Sequence, residues 1–298
     1  MRAVQFTTYG PADVLDIVDV ETPSPSAGEI LIQVAGAGIN QLDAKLRAGM
    51  MSGGAPLTAP SGTGFDAAGT VLVVGTDVDD VAPGDVVFGI GRNTLAEQAV
   101  LNAWAKVPAG VDPVEASGWG VAVETAHRLL SELGIDDGTI LLSGASGGVG
   151  SALIQLAAAR GLRVIGTASE HNQAYLRELG AVAVTYGSGL VGRVETVAPE
   201  GVDGALDLSG KGVIGELIAL VGDPTKVISI SDFTAPQLGA RVSTGDGRTT
   251  DPRDALAEAA ALPSFGLHID RRFELADAAI AHRTSEAGHT RGKLIVIP

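Results

Sequence analysis

The chain has 298 residues, 45% of them apolar, a net charge of −15 and no cysteine. That length holds one large domain or two modest ones, and the apolar share excludes a disordered polyampholyte. The acidic balance, without any Lys/Arg-rich block, argues against nucleic acid or an anionic membrane surface as partners, and the lack of cysteine excludes disulfides, thiolate zinc sites and a cysteine nucleophile.

The N-terminus, Met1-Arg2-Ala3-Val4-Gln5-Phe6, reads as a strand and not as a signal peptide. No apolar run approaches the ~20 residues of a membrane span, so a soluble cytoplasmic protein is expected. Residues 1–112 read as β-rich, with short runs at 3–7, 29–37, 69–74 and 86–89 and one helix at 41–48. Clusters such as Pro23-Ser24-Pro25 and Ala82-Pro83-Gly84-Asp85 separate them. From Asp112 the texture changes. Helical stretches over 113–133 precede strands at 140–143, 163–167, 183–185, 204–208 and 226–230, alternating with helices at 150–160, 172–179 and 213–220. Alternating units at this spacing imply a doubly wound parallel sheet with helices on both faces, an α/β fold. The pieces after that, a helix at 253–261, a strand at 267–269, a helix at 275–281 and a strand at 293–297, fit either an extension of this sheet or a return to the N-terminal β region.

The most informative run is Ser143-Gly144-Ala145-Ser146-Gly147-Gly148-Val149-Gly150, between an apolar strand and a helix. Glycines let the backbone turn tightly and approach a pyrophosphate, and the helix N-terminus offers free N–H groups. Ala145 stands where the commoner fingerprint has its first glycine. NAD enzymes place an acidic residue at the end of the second strand to hold the ribose 2′-OH. Here Ala168 occupies that position and Ser169 suits a 2′-phosphate, with Glu170 next door as the competing NAD ligand. Gln173 stands where a cation would help, and Tyr186, after the third strand, offers a phenol to a phosphate or covers the sheet edge. NADPH (NADP) is the favoured cofactor.

Six segments together resemble the zinc-independent quinone oxidoreductases of the medium-chain dehydrogenase/reductase superfamily. They are Gly38-Ile39-Asn40-Gln41-Leu42-Asp43-Ala44-Lys45-Leu46-Arg47-Ala48-Gly49, Gly64-Phe65-Asp66-Ala67-Ala68-Gly69, Ala82-Pro83-Gly84-Asp85-Val86-Val87-Phe88-Gly89, Ser143 to Gly150, Gly201-Val202-Asp203-Gly204-Ala205-Leu206-Asp207 and Gly288-His289-Thr290-Arg291-Gly292-Lys293. The resemblance implies a GroES-like β-barrel catalytic domain, residues 1–112 and 263–298, with a Rossmann domain, 113–262, inserted in it. It also implies a cleft between the two and a homodimer paired through Rossmann edge strands, for which 240–244 is the candidate. The sister branch, the zinc alcohol dehydrogenases, needs Cys and His ligands. By position Asn40, Phe65 and Val121 stand in those places, so no zinc is expected. The five histidines, His127, His171, His268, His282 and His289, make no metal cluster by spacing.

Without metal, the chemistry implied is hydride transfer from the nicotinamide to a quinone or enone, whose product anion is delocalised. Asn40 is the candidate amide that holds nicotinamide or acceptor. Asp43 orients its neighbours or caps the following helix, and His127 is the candidate proton donor. Thr125, Ser209 and Ser231 are further candidate cofactor contacts. Asp66 reads as a structural residue that fixes its loop, and Lys45 and Arg47 as exposed cations. Phe65, Phe88, Trp119 and Phe233 are the few aromatics available to stack on a flat acceptor. Competing readings are a biosynthetic enoyl reductase and a non-catalytic nicotinamide-binding redox sensor. A short-chain dehydrogenase is excluded, because Tyr9, Tyr175 and Tyr186 have no Lys four residues on.

Overall fold

A computed structural model describes residues 1–245 and 250–298. The chain forms two compact units, Met1–Val121 with Pro252–Pro298, and Ala122–Asp251.

In the first unit six strands run in the order Ile269–Glu274, Lys293–Ile297, Ile30–Ile39, Asp66–Val74, Val86–Arg92, Gln98–Lys106. The last of these also pairs with Ile30–Ile39, which closes four strands into a barrel. The C-terminal strand lies antiparallel to Ile30–Ile39, Leu294 opposite Ile39 and Val296 opposite Ala37. The chain therefore returns to the N-terminal region instead of extending the parallel sheet. Ile32, Val71, Val87, Leu101 and Val296 fill the barrel core. A small sheet of Asp16–Asp19, Arg2–Phe6 and Ser61–Gly62 stands beside it.

The helical stretches expected over 113–133 are two helices, Pro113–Ala116 and Gly120–Leu133, with a break between them. The break has a steric cause. A Cβ on Gly118 would lie 3.0 Å from Ile295 Cδ1, and one on Gly120 would lie 2.5 Å from the Gly89 carbonyl oxygen. The chain must pass flat against two strands before the helix restarts. The unit boundaries fall at Val121 and Asp251, where 112 and 262 were expected. Pro113–Ala116 packs on Ile30–Ile39 and Asp66–Val74, and Pro252–Ala261 packs on Gln98–Lys106, so both helices belong with the barrel.

The second unit is a parallel sheet ordered Val182–Thr185, Arg163–Ala168, Thr139–Ser143, Gly204–Asp207, Val227–Ser229, Arg241–Val242. Numbered along the chain, the third, second and first strands are followed by the fourth, fifth and sixth. The order reverses between Thr139–Ser143 and Gly204–Asp207, and ligands of such sheets bind outside the carboxyl ends at that reversal. Leu141, Ile165, Val184, Ala205 and Val227 form the core on one face. Several elements have no counterpart in the sequence reading, strands Asp16–Asp19, Ser61–Gly62 and Gln98–Lys106 and helix Leu190–Val197 among them. Strand Gln98–Lys106 carries three Ala and one Asn, residues with weak strand preference. Helix Leu190–Val197 is short and begins beside Gly187 and Gly189, both at positive φ. The expected edge strand at 240–244 is only Arg241–Val242. The tract 245–250, Gly-Asp-Gly-Arg-Thr-Thr, whose polar, glycine-rich sequence reads as a loop, falls largely outside the described residues. Among the described residues no helix is long and apolar enough to cross a membrane.

The packing of Pro252–Ala261 on the barrel rests on Arg253. Its guanidinium lies 3.9 Å from the centroid of the Trp104 ring and donates to the Gly28 carbonyl at 3.0 Å, while Trp104 Nε1–H donates to Asp80 at 3.0 Å. Arg253→Ala is expected to lower stability by about 1–2 kcal/mol in urea unfolding. Arg253→Lys should recover only part of that, because an ammonium lacks the stacking plane.

Candidate functional site

The glycine turn opens at Gly144, whose φ of 77° only glycine adopts readily. Ala145 is buried, and its N–H donates to the Thr167 carbonyl at 3.1 Å. A Cβ on Gly150 would lie 2.5 Å from the Ala145 carbonyl oxygen, and one on Gly166 would lie 2.9 Å from the Ala145 methyl. The helix start and the second strand thus both close on Ala145, and its methyl fills the space between them. Helix Gly148–Ala159 begins after Gly147 with no side-chain cap. The N–H groups of its first turn have no intrahelical acceptor, and the dipole adds a positive end there. Ser146 Oγ accepts from Asn172 Nδ2 at 3.3 Å. These residues fit a dinucleotide pyrophosphate: the backbone at the helix start is bare, and the N–H groups of its first turn have no intrahelical partner.

At the strand reversal the structure gathers the predicted serines. Ser143 and Ser209 share a hydroxyl hydrogen bond of 2.7 Å from adjacent strand ends. The organiser is Asp207, which sequence reasoning passed over. Fully buried, it accepts from Ser209 N–H at 3.0 Å, Ser209 Oγ at 2.9 Å, Gly210 N–H at 3.2 Å and Ser229 Oγ at 2.9 Å. Ser231 Oγ donates to the Leu208 carbonyl at 3.1 Å. Thr125 lies on Gly120–Leu133, buried, with its hydroxyl 3.4 Å from Glu124. His127 is half-buried on the same helix, in the nucleotide unit.

Ala168 and Thr185 are register partners, so Ser169 and Tyr186 follow each other at neighbouring strand ends. Tyr186 is 60% exposed and covers no sheet edge. Gln173 does not stand in for a cation: it is buried, and its amide donates to the carbonyls of Ala168 and Val184 at 3.0 and 3.1 Å. The cation of this corner is Arg193, on the unexpected helix. It donates to the carbonyls of Thr185, Ser188, Gly187 and Tyr186 at 3.0, 2.8, 3.0 and 3.2 Å. A helical reading of 190–197 would have exposed it.

The barrel unit carries the second cluster. Asn40 stands at the head of helix Gln41–Arg47, and its N–H donates to Asp43 at 2.6 Å. Asp43 is wholly buried and also accepts from the Gly64 N–H at 3.0 Å. It orients the chain at Asn40 and the loop at Gly64. The Asn40 side chain donates to Asp66 at 3.0 Å and accepts from Lys293 Nζ at 2.6 Å, and Lys293 also donates to Asp66 at 2.9 Å. The other Asp66 oxygen accepts the Val121 N–H at 2.6 Å, at the start of Gly120–Leu133. Lys293 was quoted above only as a family marker. Its signal was a charge heading the otherwise apolar strand Lys-Leu-Ile-Val-Ile.

Several expectations are corrected here. Arg47 is not exposed. It is buried, donating to the Gly10 carbonyl at 3.1 Å and to Glu286 at 2.5 Å, and it meets His282 Nδ1 at 3.1 Å. Burial and then Arg47 press the His282 pKa down to about 4. Phe88 and Trp119 are core residues, edge-on to each other at 5.1 Å, and cannot stack on an acceptor. Phe65 is half-buried and Phe233 exposed. Asn40 is engaged with an ammonium, Phe65 offers no ligand atom, and among the described residues no group of three or more His, Asp or Glu is placed to hold a metal.

Residues 26–125 match the alcohol dehydrogenase GroES-like domain family, and residues 179–296 match the zinc-binding dehydrogenase family. The chain is 38% identical over 195 residues to the chloroplastic quinone-oxidoreductase QR1 of Triphysaria versicolor, which covers 61% of this chain but only 59% of that protein. It is 28% identical to the NADPH-dependent alkenal/one oxidoreductase of Arabidopsis thaliana, over all of this chain and 80% of that one. The structure of the quinone oxidoreductase from Coxiella burnetii superposes with a TM-score of 0.81 at 30% identity, covering 100% of this chain and 99% of the other.

Burial raises the Asp43 pKa from 3.8 to about 7, opposed by the Asn40 N–H, raised further by Asp66 and lowered by Lys293 and the Gly64 N–H. The folded state therefore binds this proton more tightly than the unfolded one. The associated stability is complete below about pH 4 and is lost as pH rises through about 7. Wild-type stability relative to Asp43→Asn should fall by a few kcal/mol over that window, read by urea unfolding at each pH. A pH-independent difference would show that the carboxyl is already ionised at pH 4.

Proposed function

We propose that this chain, which belongs to the quinone oxidoreductase family of the medium-chain dehydrogenase/reductase superfamily, transfers a hydride from NADPH to a quinone or an α,β-unsaturated carbonyl without zinc. The observation that carries this reading is Asn40, engaged with Lys293 and Asp66 where the alcohol dehydrogenases place their first zinc ligand. The bound nicotinamide would supply the hydride. The chain's own residues supply binding and a hydrogen-bond donor. The bare turn from Gly144 to Gly150 would hold the pyrophosphate, and Ser143, Ser209 and Ser231 offer hydroxyls at the strand reversal. Asn40 would donate to the acceptor oxygen as charge develops there. A single neutral donor suits a delocalised enolate or hydroquinone anion better than the localised alkoxide of a simple ketone.

NADPH is favoured over NADH by the corner of Ser169, Tyr186 and Arg193. Two hydroxyl-bearing residues follow neighbouring strand ends there, beside a loop whose carbonyls the Arg193 guanidinium holds, and Ala168 offers no carboxylate to a ribose 2′-OH. The names of the Arabidopsis and Coxiella relatives agree with the acceptor classes and, for the first, with the cofactor. Asp43 acts through Asn40, and no proton-donor role for His127 is needed when the product anion takes its proton from water. A homodimer through the edge of Arg241–Val242, paired on one side only among the described residues, is the assembly proposed.

The test is NADPH oxidation with naphthoquinones, simple enones and, in reverse, a secondary alcohol. Turnover is expected on the first two, and tight NADPH binding with no turnover on any would overturn the reading. Asn40→Ala should lower kcat by about 100-fold while leaving the NADPH Kd unchanged. Ser169→Ala and Tyr186→Phe should each weaken NADPH about ten-fold and leave NADH binding within two-fold, measured by fluorescence titration.

A further inference from the structure

Lys293 is 4% exposed and Asp66 wholly buried, and each meets the Asn40 amide with its own functional group. Their chemistry leaves only one orientation for that amide. An ammonium can only donate and a carboxylate can only accept, so Oδ1 faces Lys293 and Nδ2 faces Asp66. One Nδ2–H is thereby used, and the other is left to donate from a residue that is itself half-buried.

The seat of this pair is built by glycines. A Cβ on Gly38 would lie 2.8 Å from Asp66 Oδ2, one on Gly120 would lie 2.9 Å from Asp66 Oδ1, and one on Gly118 would lie 3.1 Å from Lys293 Cγ. Two stretches of backbone, at Gly38 and at Gly118–Gly120, close on the two side chains, so neither can move away without moving the barrel wall. A buried charge pair costs desolvation that well-packed apolar residues would avoid. A function that requires the pair's geometry accounts for its presence.

We propose that Lys293 is a positioning residue for Asn40. With Asp66 it locks the carboxamide so that the remaining Nδ2–H is a fixed donor to the carbonyl oxygen of the acceptor. It also places a positive charge one amide away from the oxygen that becomes negative during hydride transfer. The inference rests on the quinone or enone reductase reading, and it assigns Lys293 no direct contact with substrate or cofactor.

The first measurement needs no variant. In the wild-type protein the two Asn40 Nδ2 protons, assigned by the loss of their NMR signal in Asn40→Ala, should be distinct, and the one bonded to Asp66 should be protected from solvent exchange. Two rapidly exchanging protons would overturn the proposal. Next, Lys293→Met is compared with the doubly neutral Asp66→Asn/Lys293→Met, which leaves no unpaired buried charge if the single variant fails to fold. In the folded variant, kcat for a naphthoquinone or enone should fall about 10- to 100-fold with KM and NADPH Kd within about three-fold, and the protection at Asn40 should be lost. Lys293→Arg should restore part of both. A folded variant with wild-type kcat and wild-type Asn40 protection refutes the positioning role. Wild-type protein that binds NADPH but reduces no acceptor fails the underlying reading instead, and the protection experiment still decides the geometry.

Discussion

Asp66 has no exposure to water. A carboxylate in that position is tolerable only if every lone pair that matters finds a donor. It finds three, from the Asn40 amide, the Lys293 ammonium and the Val121 backbone N–H. These come from the start of one helix, the last strand of the chain and the restart of another helix. The C-terminal strand must therefore return to the barrel to deliver Lys293. The helical run after Pro113 must break so that Val121 presents a free N–H. Residues at 38, 118 and 120 must be glycine so that the backbone can close on the pair.

Such a pair specifies an arrangement more than it stabilises one. Removing one partner strands the other, at about 3–5 kcal/mol, whereas replacing both by packed apolar side chains is often neutral. The nucleotide unit uses a gentler version of the same device. Buried Asp207 is neutralised by hydroxyls and backbone N–H groups rather than by a cation. It thereby fixes Ser209, Gly210 and Ser229 at the strand reversal, where a bound ligand would meet them.

The elements legible in the sequence were those written in local pattern. The parallel strands announced themselves as apolar runs, and the glycine turn by its own spacing, because their determinants lie within a few residues of each other. What stayed hidden depends on partners far away in the chain. Lys293 sits 253 residues from Asn40, and its one local signal, a charge heading an apolar strand, names no partner. Arg47 looked exposed because its partners Gly10, His282 and Glu286 come from other elements. Arg193 was missed because the helix that carries it begins between glycines, which masked the helical period. The break at 117–119 was invisible because Gly118 and Gly120 answer to Lys293 and Gly89, not to their neighbours.

The same long-range logic bears on the chemistry. A metal at the Asn40 position would meet the acceptor oxygen directly and stabilise a localised alkoxide. In the proposed site the cation is part of the chain and would act at one remove, through an amide that it orients. Its positive charge is already partly neutralised by Asp66, and the group that would touch the acceptor oxygen is neutral. The stabilisation such a site offers would be correspondingly modest, enough for an anion already spread over a ring or an enone. The proposed preference for conjugated acceptors would then follow from how the charge is housed, since a buried ion pair in place of a metal lacks the strongest electrophile and keeps only its direction.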